Sequence, residues 1–211
     1  MPLQPDPRGL GVLAGPRAGE RGDLLARVLD TELANLRLTL EGIDRAAFDG
    51  AADRLASPAH RVTVLPSEQA QGIGLLFAGE LAIVRDGVRL AGGSEFRLVT
   101  QLARLGRSDT VVLLDLQRHE RWLLEASSRA AARGAGRIVL VDSELSPLAG
   151  GALAVLPVAA AGAGPFDSHV GMLAVANALV AAVALRLRRS LTRRIDALEA
   201  AWVESGALVE R

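Results

Sequence analysis

From residue 61 onward, five short apolar runs are separated by stretches with helical signals. The runs are Val62–Leu65, Val88–Ala91, Thr110–Leu114, Arg137–Val141 and Ala152–Val158. Strands that alternate with helices in this way point to a parallel sheet covered on both faces. Val62-Thr-Val-Leu65 has no polar face, as a strand buried on both sides requires. In such sheets ligands bind beyond the carboxyl ends of the strands, where the strand order reverses. The loops that matter are therefore Pro66–Ala70, Asp115–Glu120, Asp142–Pro147 and Gly164–His169.

The helical segments have their own signals. Leu25, Val28, Leu29, Leu33, Leu36 and Leu40 recur at three- and four-residue steps over Asp23–Leu40, one face of a helix. The pattern is too short for a coiled coil and reads as a packing or dimer surface. Asp44 is placed to cap a second helix ending near Leu55, before Ser57-Pro58. Glu68–Val84 is helical in pattern, Ser94 caps a helix to Leu105, and Arg118–Arg133 is a helix ending at Gly134. Asp167 or Ser168 caps a long apolar helix to Arg188, and an amphipathic helix covers Thr192–Glu204. Residues 1–22 carry no signal-peptide pattern and read as a flexible tail, which makes the cytoplasm the expected location. The apolar stretch Gly171–Leu185 contains Asn177 and falls short of the ~20 residues of a membrane span.

Composition removes several chemistries. The chain has 211 residues with 24 basic and 24 acidic side chains, so no chain-wide basic surface awaits a phosphate backbone. Cysteine is absent, which excludes disulfides, thiol nucleophiles and Cys-based zinc sites. All basic side chains are Arg; without Lys there is no Schiff-base chemistry and no Walker-type phosphate lysine. His60, His119 and His169 lack HxH or HExxH spacing, so no metal and no cofactor is expected. No GxSxG elbow supports a serine hydrolase.

The polar loop directly after the third apolar run is the most informative segment. Asp115-Leu-Gln-Arg-His-Glu120 places five polar side chains in six residues at a strand's carboxyl end. Arg118 can pair with a phosphate or carboxylate through two parallel N–H bonds. Read without a ligand, Asp115 caps the following helix while Arg118, Glu120 and Arg121 face solvent. The first loop, Pro66-Ser-Glu-Gln-Ala70, opens a helix whose amides can hold an anion. It lacks the glycines of a dinucleotide fingerprint, which Gly72 and Gly74 do not complete.

Ser108–Gly150 resembles the sugar isomerase (SIS) domain of RpiR/MurR-type transcriptional regulators. The resemblance lies in Ala131-Ala-Arg-Gly-Ala135 before a strand and Val141-Asp-Ser-Glu-Leu-Ser-Pro-Leu-Ala149 after it. Pro165-Phe-Asp-Ser168 ahead of an apolar helix, and Glu32-Leu-Ala-Asn-Leu36, fit the same family. The resemblance extends over about residues 23–205. It implies an α/β three-layer sandwich with a five-stranded parallel sheet in flavodoxin-like order, preceded by N-terminal helices. The expected organisation is a tail over 1–22, linker and dimerisation helices over 23–57, and the SIS-like domain with C-terminal helices over 58–211.

Two departures stand out. The hydroxyl-rich phosphate loop of the family is replaced by Asp115, Gln117, Arg118 and Glu120, and the glycine-rich loop after the first strand by Pro66, Glu68 and Ala70. Asp115-Leu-Gln-Arg118 looks like a relative of the Asp-aromatic-Arg-Arg loop found in one branch of the family. The regulators also begin with a helix-turn-helix domain, whereas about 22 residues precede the first helix here, so no DNA binding is expected of this chain. The resemblance then implies a non-enzymatic effector-binding module that forms a dimer or tetramer and senses a small anionic carbohydrate derivative. Arg118 would meet the anionic group, Asp115 and Gln117 the hydroxyls, with Ser67, Gln69 and His119 completing the pocket. An aldose–ketose isomerase, with Glu120, His119 and His169 as acid–base candidates, and a degenerate domain that only dimerises are the alternatives.

Overall fold

The computed structural model describes residues 23–206. The tail expected over residues 1–22 lies outside them. Helix α1 spans Leu24–Gly42 and α2 spans Arg45–Ala56. The carboxylate of Asp44 accepts from the Ala46 and Ala47 amides at 3.1 and 3.3 Å, the cap that starts α2. Strand β1 (Arg61–Pro66) leads to α3 (Gln71–Val84), β2 (Val88–Leu90), α4 (Glu95–Ala103) and β3 (Asp109–Leu114). Then follow α5 (Arg121–Ala132), β4 (Gly136–Val141), β5 (Ala154–Pro157), α6 (Val170–Arg186) and α7 (Arg188–Ser205).

All strands pair in parallel in the order β2-β1-β3-β4-β5. This is the expected three-layer arrangement and order. One face of the sheet, with Val62, Val64, Val112, Leu114, Ile138 and Leu140, packs on α2, α3 and α6 through Leu55, Phe77, Leu81, Met172 and Leu179. The other face, with Leu65, Val111, Leu113, Val139 and Val141, packs on α4 and α5 through Leu102, Leu123 and Ala130. The alternation of these residues along each strand divides two apolar clusters, as a sheet buried on both sides requires.

The chain leaves β1 for the edge strand β2 and returns across it to β3. The reversal therefore lies between β1 and β3, and their carboxyl ends meet: the Ser67 N–H donates to the Leu114 carbonyl at 2.8 Å. Gly74 lets α3 sit close to this corner, since a Cβ there would lie 2.6 Å from Pro66 Cγ. The glycine read as half of an incomplete fingerprint is thus a packing residue.

Several boundaries differ from those expected, among them the start of α3, which is Gln71 rather than Glu68. The helix expected from Arg118 begins at Arg121, because Arg118 adopts a left-handed conformation with φ 69°. The strand expected over Ala152–Val158 is limited to β5. The last helix starts at Arg188, directly after α6, with a bend of 103° between the two. Ser168 does meet the start of α6 as expected: its Oγ accepts from the Val170 N–H at 3.2 Å. Among the described residues no single helix is long and apolar enough to cross a membrane.

Helix α1 lies on α6. Its residues of lowest exposure are not leucines but Asn35 and Thr39. Asn35 bonds Ala161 through both ends of its carboxamide, and Thr39 Oγ1 accepts from the Ala159 N–H at 2.9 Å. Glu32 accepts from the Ser168 hydroxyl at 2.6 Å. Leu25 is 85% exposed, and Leu29, Leu33 and Leu40 are also exposed. Apart from the half-buried Leu36, these leucines thus point away from this chain's own core.

Candidate functional site

Three loops converge at the carboxyl ends of β1, β3 and β4 through a chain of side-chain hydrogen bonds. Asp115 follows β3, and its backbone N–H donates to the Leu140 carbonyl at 3.0 Å, fixing the loop against β4. Its side chain is buried and pairs with the Ser67 hydroxyl from the β1 loop. Asp115 Oδ2 lies 2.7 Å from His119 Nδ1. A carboxylate only accepts, so Nδ1 carries the proton and donates. His119 Nε2 then accepts from the Ser146 hydroxyl in the β4 loop, 3.3 Å away. Ser146 Oγ itself accepts from the Leu148 N–H at 3.3 Å, which leaves its proton for the imidazole.

Burial pushes the Asp115 carboxyl above the usual carboxylate range, and the hydrogen bonds from His119 and Ser67 oppose that rise. Asp115 does not cap the following helix. Glu120 occupies that position, and its carboxylate accepts from no backbone N–H of that helix. Ser146, His119 and Asp115 have the connectivity of a hydrolase triad, but Ser146 is buried in a turn before Pro147 rather than raised on a strand-to-helix elbow.

The remaining expected residues sit at the mouth of this network. Gln69, Gln117 and Arg118 are exposed, and the two glutamines form no hydrogen bond within the protein. The left-handed φ of Arg118 turns the chain between the buried Leu116 and the half-buried His119. A non-glycine residue in that region costs free energy and persists only where its surroundings enforce it. His169 stands at the start of α6, and its buried Nε2 has no hydrogen-bond partner among the described residues.

A second contact across the reversal, between Glu120 and Glu68, has no signature in the sequence pattern. Glu120 Oε1 accepts from the Glu68 N–H at 2.9 Å, and its Oε2 accepts from the Trp122 indole N–H. Beside this bridge lies a cavity of about 680 Å³ lined by Glu68, Gln71, Gly92, Gly93, Glu95, Leu98 and Trp122. That volume lies within the range of small-molecule sites, roughly 300–1,000 Å³. Gly92-Gly93 was legible only as a loop, and nothing local joins it to Trp122. Among the described residues no group of three His, Asp or Glu side chains is arranged to hold a metal ion.

Residues 88–182 match the family model of the SIS domain. Among solved structures, the chain is similar to the sugar isomerase domain of an RpiR transcription factor from Sphaerobacter thermophilus. Identity is 27%, the TM-score is 0.76, and the match covers 84% of this chain and 99% of that one. It is similar in fold to the Vibrio vulnificus NanR protein complexed with ManNAc-6P, at 18% identity and TM-score 0.73, over 91% of this chain and 72% of that one. A Methanococcus jannaschii protein with an inferred 3-hexulose-6-phosphate isomerase function also shares the fold, at 15% identity and TM-score 0.57, over 80% and 90% of the two chains. No curated protein sequence matches the chain.

Proposed function

The chain carries an SIS domain, and on that footing we propose that it is the effector-binding and dimerisation domain of an RpiR/MurR-like transcriptional regulator, a sensor rather than an enzyme, acting in the cytoplasm. Its ligand is a small anionic carbohydrate derivative, a sugar phosphate or a sugar acid. Residues 23–57 serve as dimerisation helices and 58–211 as the sensing domain.

One observation carries this reading: loops from β1, β3 and β4 are locked together at the strand-order reversal by the chain Ser67, Asp115, His119 and Ser146. The lock leaves Gln69, Gln117 and Arg118 at its exposed mouth. Arg118 meets the anionic group through parallel N–H bonds, and the glutamines bond hydroxyls. Ser67 and Asp115, already bonded to one another, hold His119 in place at the rim. Regulation follows if the ligand prefers one of two arrangements of the dimer.

The test is a thermal-shift screen of sugar phosphates, sugar acids and inorganic phosphate on the wild-type chain and on Arg118→Ala. A hit raises the wild-type melting temperature, and the substitution weakens its binding by about 1.5–3 kcal/mol, one charge-assisted hydrogen bond. Equal stabilisation of both proteins removes Arg118 from the site. No shift with any anion overturns the sensing role and leaves a domain that only dimerises.

The Asp115–His119 pair favours a second reading, since a histidine held by a carboxylate is a usual general base in aldose–ketose isomerisation. Exchange of the C2 proton of an aldose phosphate with deuterated water, followed by NMR, decides between the two. The sensor reading expects no exchange above the buffer rate.

A further inference from the structure

Glu120 begins α5 without capping it. Its carboxylate reaches across the strand-order reversal, accepts from the Glu68 N–H at 2.9 Å, and accepts from Trp122 Nε1 with its other oxygen. A backbone N–H in the turn between a strand and a helix is a donor suited to an anionic ligand. Here that donor already faces an anion, and the anion belongs to the chain. We propose that Glu120 is an internal competitor for the acidic group of the ligand: the ligand's anion takes over the Glu68 N–H, Glu120 is expelled, and Trp122 loses its acceptor. This inference rests on the reading that the site at the reversal binds an anionic carbohydrate derivative.

The neighbouring cavity supports the division of the ligand. Among the described residues its walls include Glu68, Glu95, Gln71, Leu98 and Trp122; no arginine lines it, and the Arg97 side chain lies beside Gly93. Carboxylates and an amide bond sugar hydroxyls, and an indole with a leucine covers the apolar face of a sugar ring. The same carboxylates repel an anionic group. The neutral part of the ligand therefore belongs in the cavity. Its acidic end belongs at the boundary with the β3 loop, where the Glu68 N–H is the donor.

Two carboxylates cannot accept the same N–H, and two adjacent negative charges repel. The apparent affinity for an anion is reduced by the fraction of molecules in which Glu120 is in place. Ligand binding is then coupled to the start of α5, because the carboxylate that holds the loop after β1 also holds Trp122. The exchange gives the domain a two-position element that the ligand's charge selects.

The experiment uses the full chain with Trp202→Phe, which leaves Trp122 as the single tryptophan of the two in the sequence. Inorganic phosphate and glucose 6-phosphate are titrated into this parent and into its Glu120→Ala and Glu120→Gln forms, with Trp122 emission and melting temperature as readouts. Loss of the competitor raises anion affinity by about tenfold or more in Glu120→Ala. It rises by less in Glu120→Gln, whose amide oxygen still accepts from Glu68. In the parent, anion binding moves Trp122 emission toward that of ligand-free Glu120→Ala. Equal affinity in parent and variants, or unchanged parent emission on binding, overturns the competitor while anion binding stands. Absence of binding to every form, including Glu120→Ala, overturns the anion site itself. Should Glu120→Ala not fold, Glu120→Gln carries the same comparison.

Discussion

Asn35 on α1 and Ala161 beyond β5 are paired like residues of adjacent strands: Nδ2 donates to the Ala161 carbonyl at 2.8 Å, and Oδ1 accepts from the Ala161 N–H at 3.2 Å. A single side chain satisfies both backbone groups of a residue 126 positions away. This fixes the N-terminal helix to the segment that leads into α6.

Asn35→Leu removes both bonds to Ala161 and is expected to cost about 1–3 kcal/mol, two hydrogen bonds at about 0.5–1.5 kcal/mol each. Asn35→Asp costs at least as much near neutral pH. It removes the donor to Ala161 and sets a second carboxylate beside Glu32, whose Oε2 lies 3.1 Å from Asn35 Nδ2. Urea denaturation of the two variants measures both, and the Asp variant should recover part of its loss in acid.

Asp115 makes stability depend on pH. Burial raises its folded-state pKa above the ordinary value of 3.8. The folded chain therefore binds this proton more tightly than the unfolded chain does. The associated stability is present below the unfolded pKa and is lost as pH rises through the folded one. Asp115→Asn keeps an acceptor for His119 and removes this dependence. The stability of wild type minus that of the variant should fall as pH rises from below 4 and level off toward neutrality. Chemical denaturation of both proteins across that range gives the difference directly, and a flat difference would remove the burial argument.

Gly171 at the start of α6 lies against α1, where a Cβ would be 2.6 Å from Thr39 Oγ1 and 2.8 Å from the Ala159 carbonyl oxygen. Gly171→Ala forces these groups apart and should cost about 1–3 kcal/mol. At Gly79 in α3 a Cβ meets nothing within 4 Å, so Gly79→Ala should gain about 0.5–1 kcal/mol from helix propensity. Melting temperatures that move in opposite directions are the expected result.

The exposed leucines of α1 are suited to a second copy of the chain. Leu25 and Leu29 lie on the face away from the core. A Leu25→Glu, Leu29→Glu variant should sediment as a monomer at tens of micromolar while the parent sediments as a dimer or larger. Its far-ultraviolet circular dichroism should remain that of the parent.

The sheet was legible because its strands are short apolar runs closed by turn signals, such as Pro66-Ser67 after β1 and Asp86-Gly87 before β2. Asp115 and His119 stood out as polar residues at the end of the most apolar strand. Their partner Ser146 did not, because it comes from the next strand's loop, 27 positions beyond His119, and is joined only through space. The Glu120–Glu68 contact has no local signature either, since an acceptor reaching a distant backbone amide leaves no spacing to read. On α1 the leucine period drew attention to the outward face. Asn35 and Thr39, four residues apart, form a polar inner seam whose spacing was present but outweighed. The onset of α5 was misplaced because its polar pattern continues back through Arg118, whose left-handed backbone no periodicity reports.

The sheet is bounded by β2, of three residues, and β5, of four, the latter ending at Pro157, which has no N–H to offer. A margin this short offers few open backbone groups to a strand from another molecule. Association edge to edge, the usual route from a parallel sheet to insoluble aggregate, is thereby made unfavourable. Self-assembly is left to helix surfaces, whose contacts can form and separate while every strand stays in register.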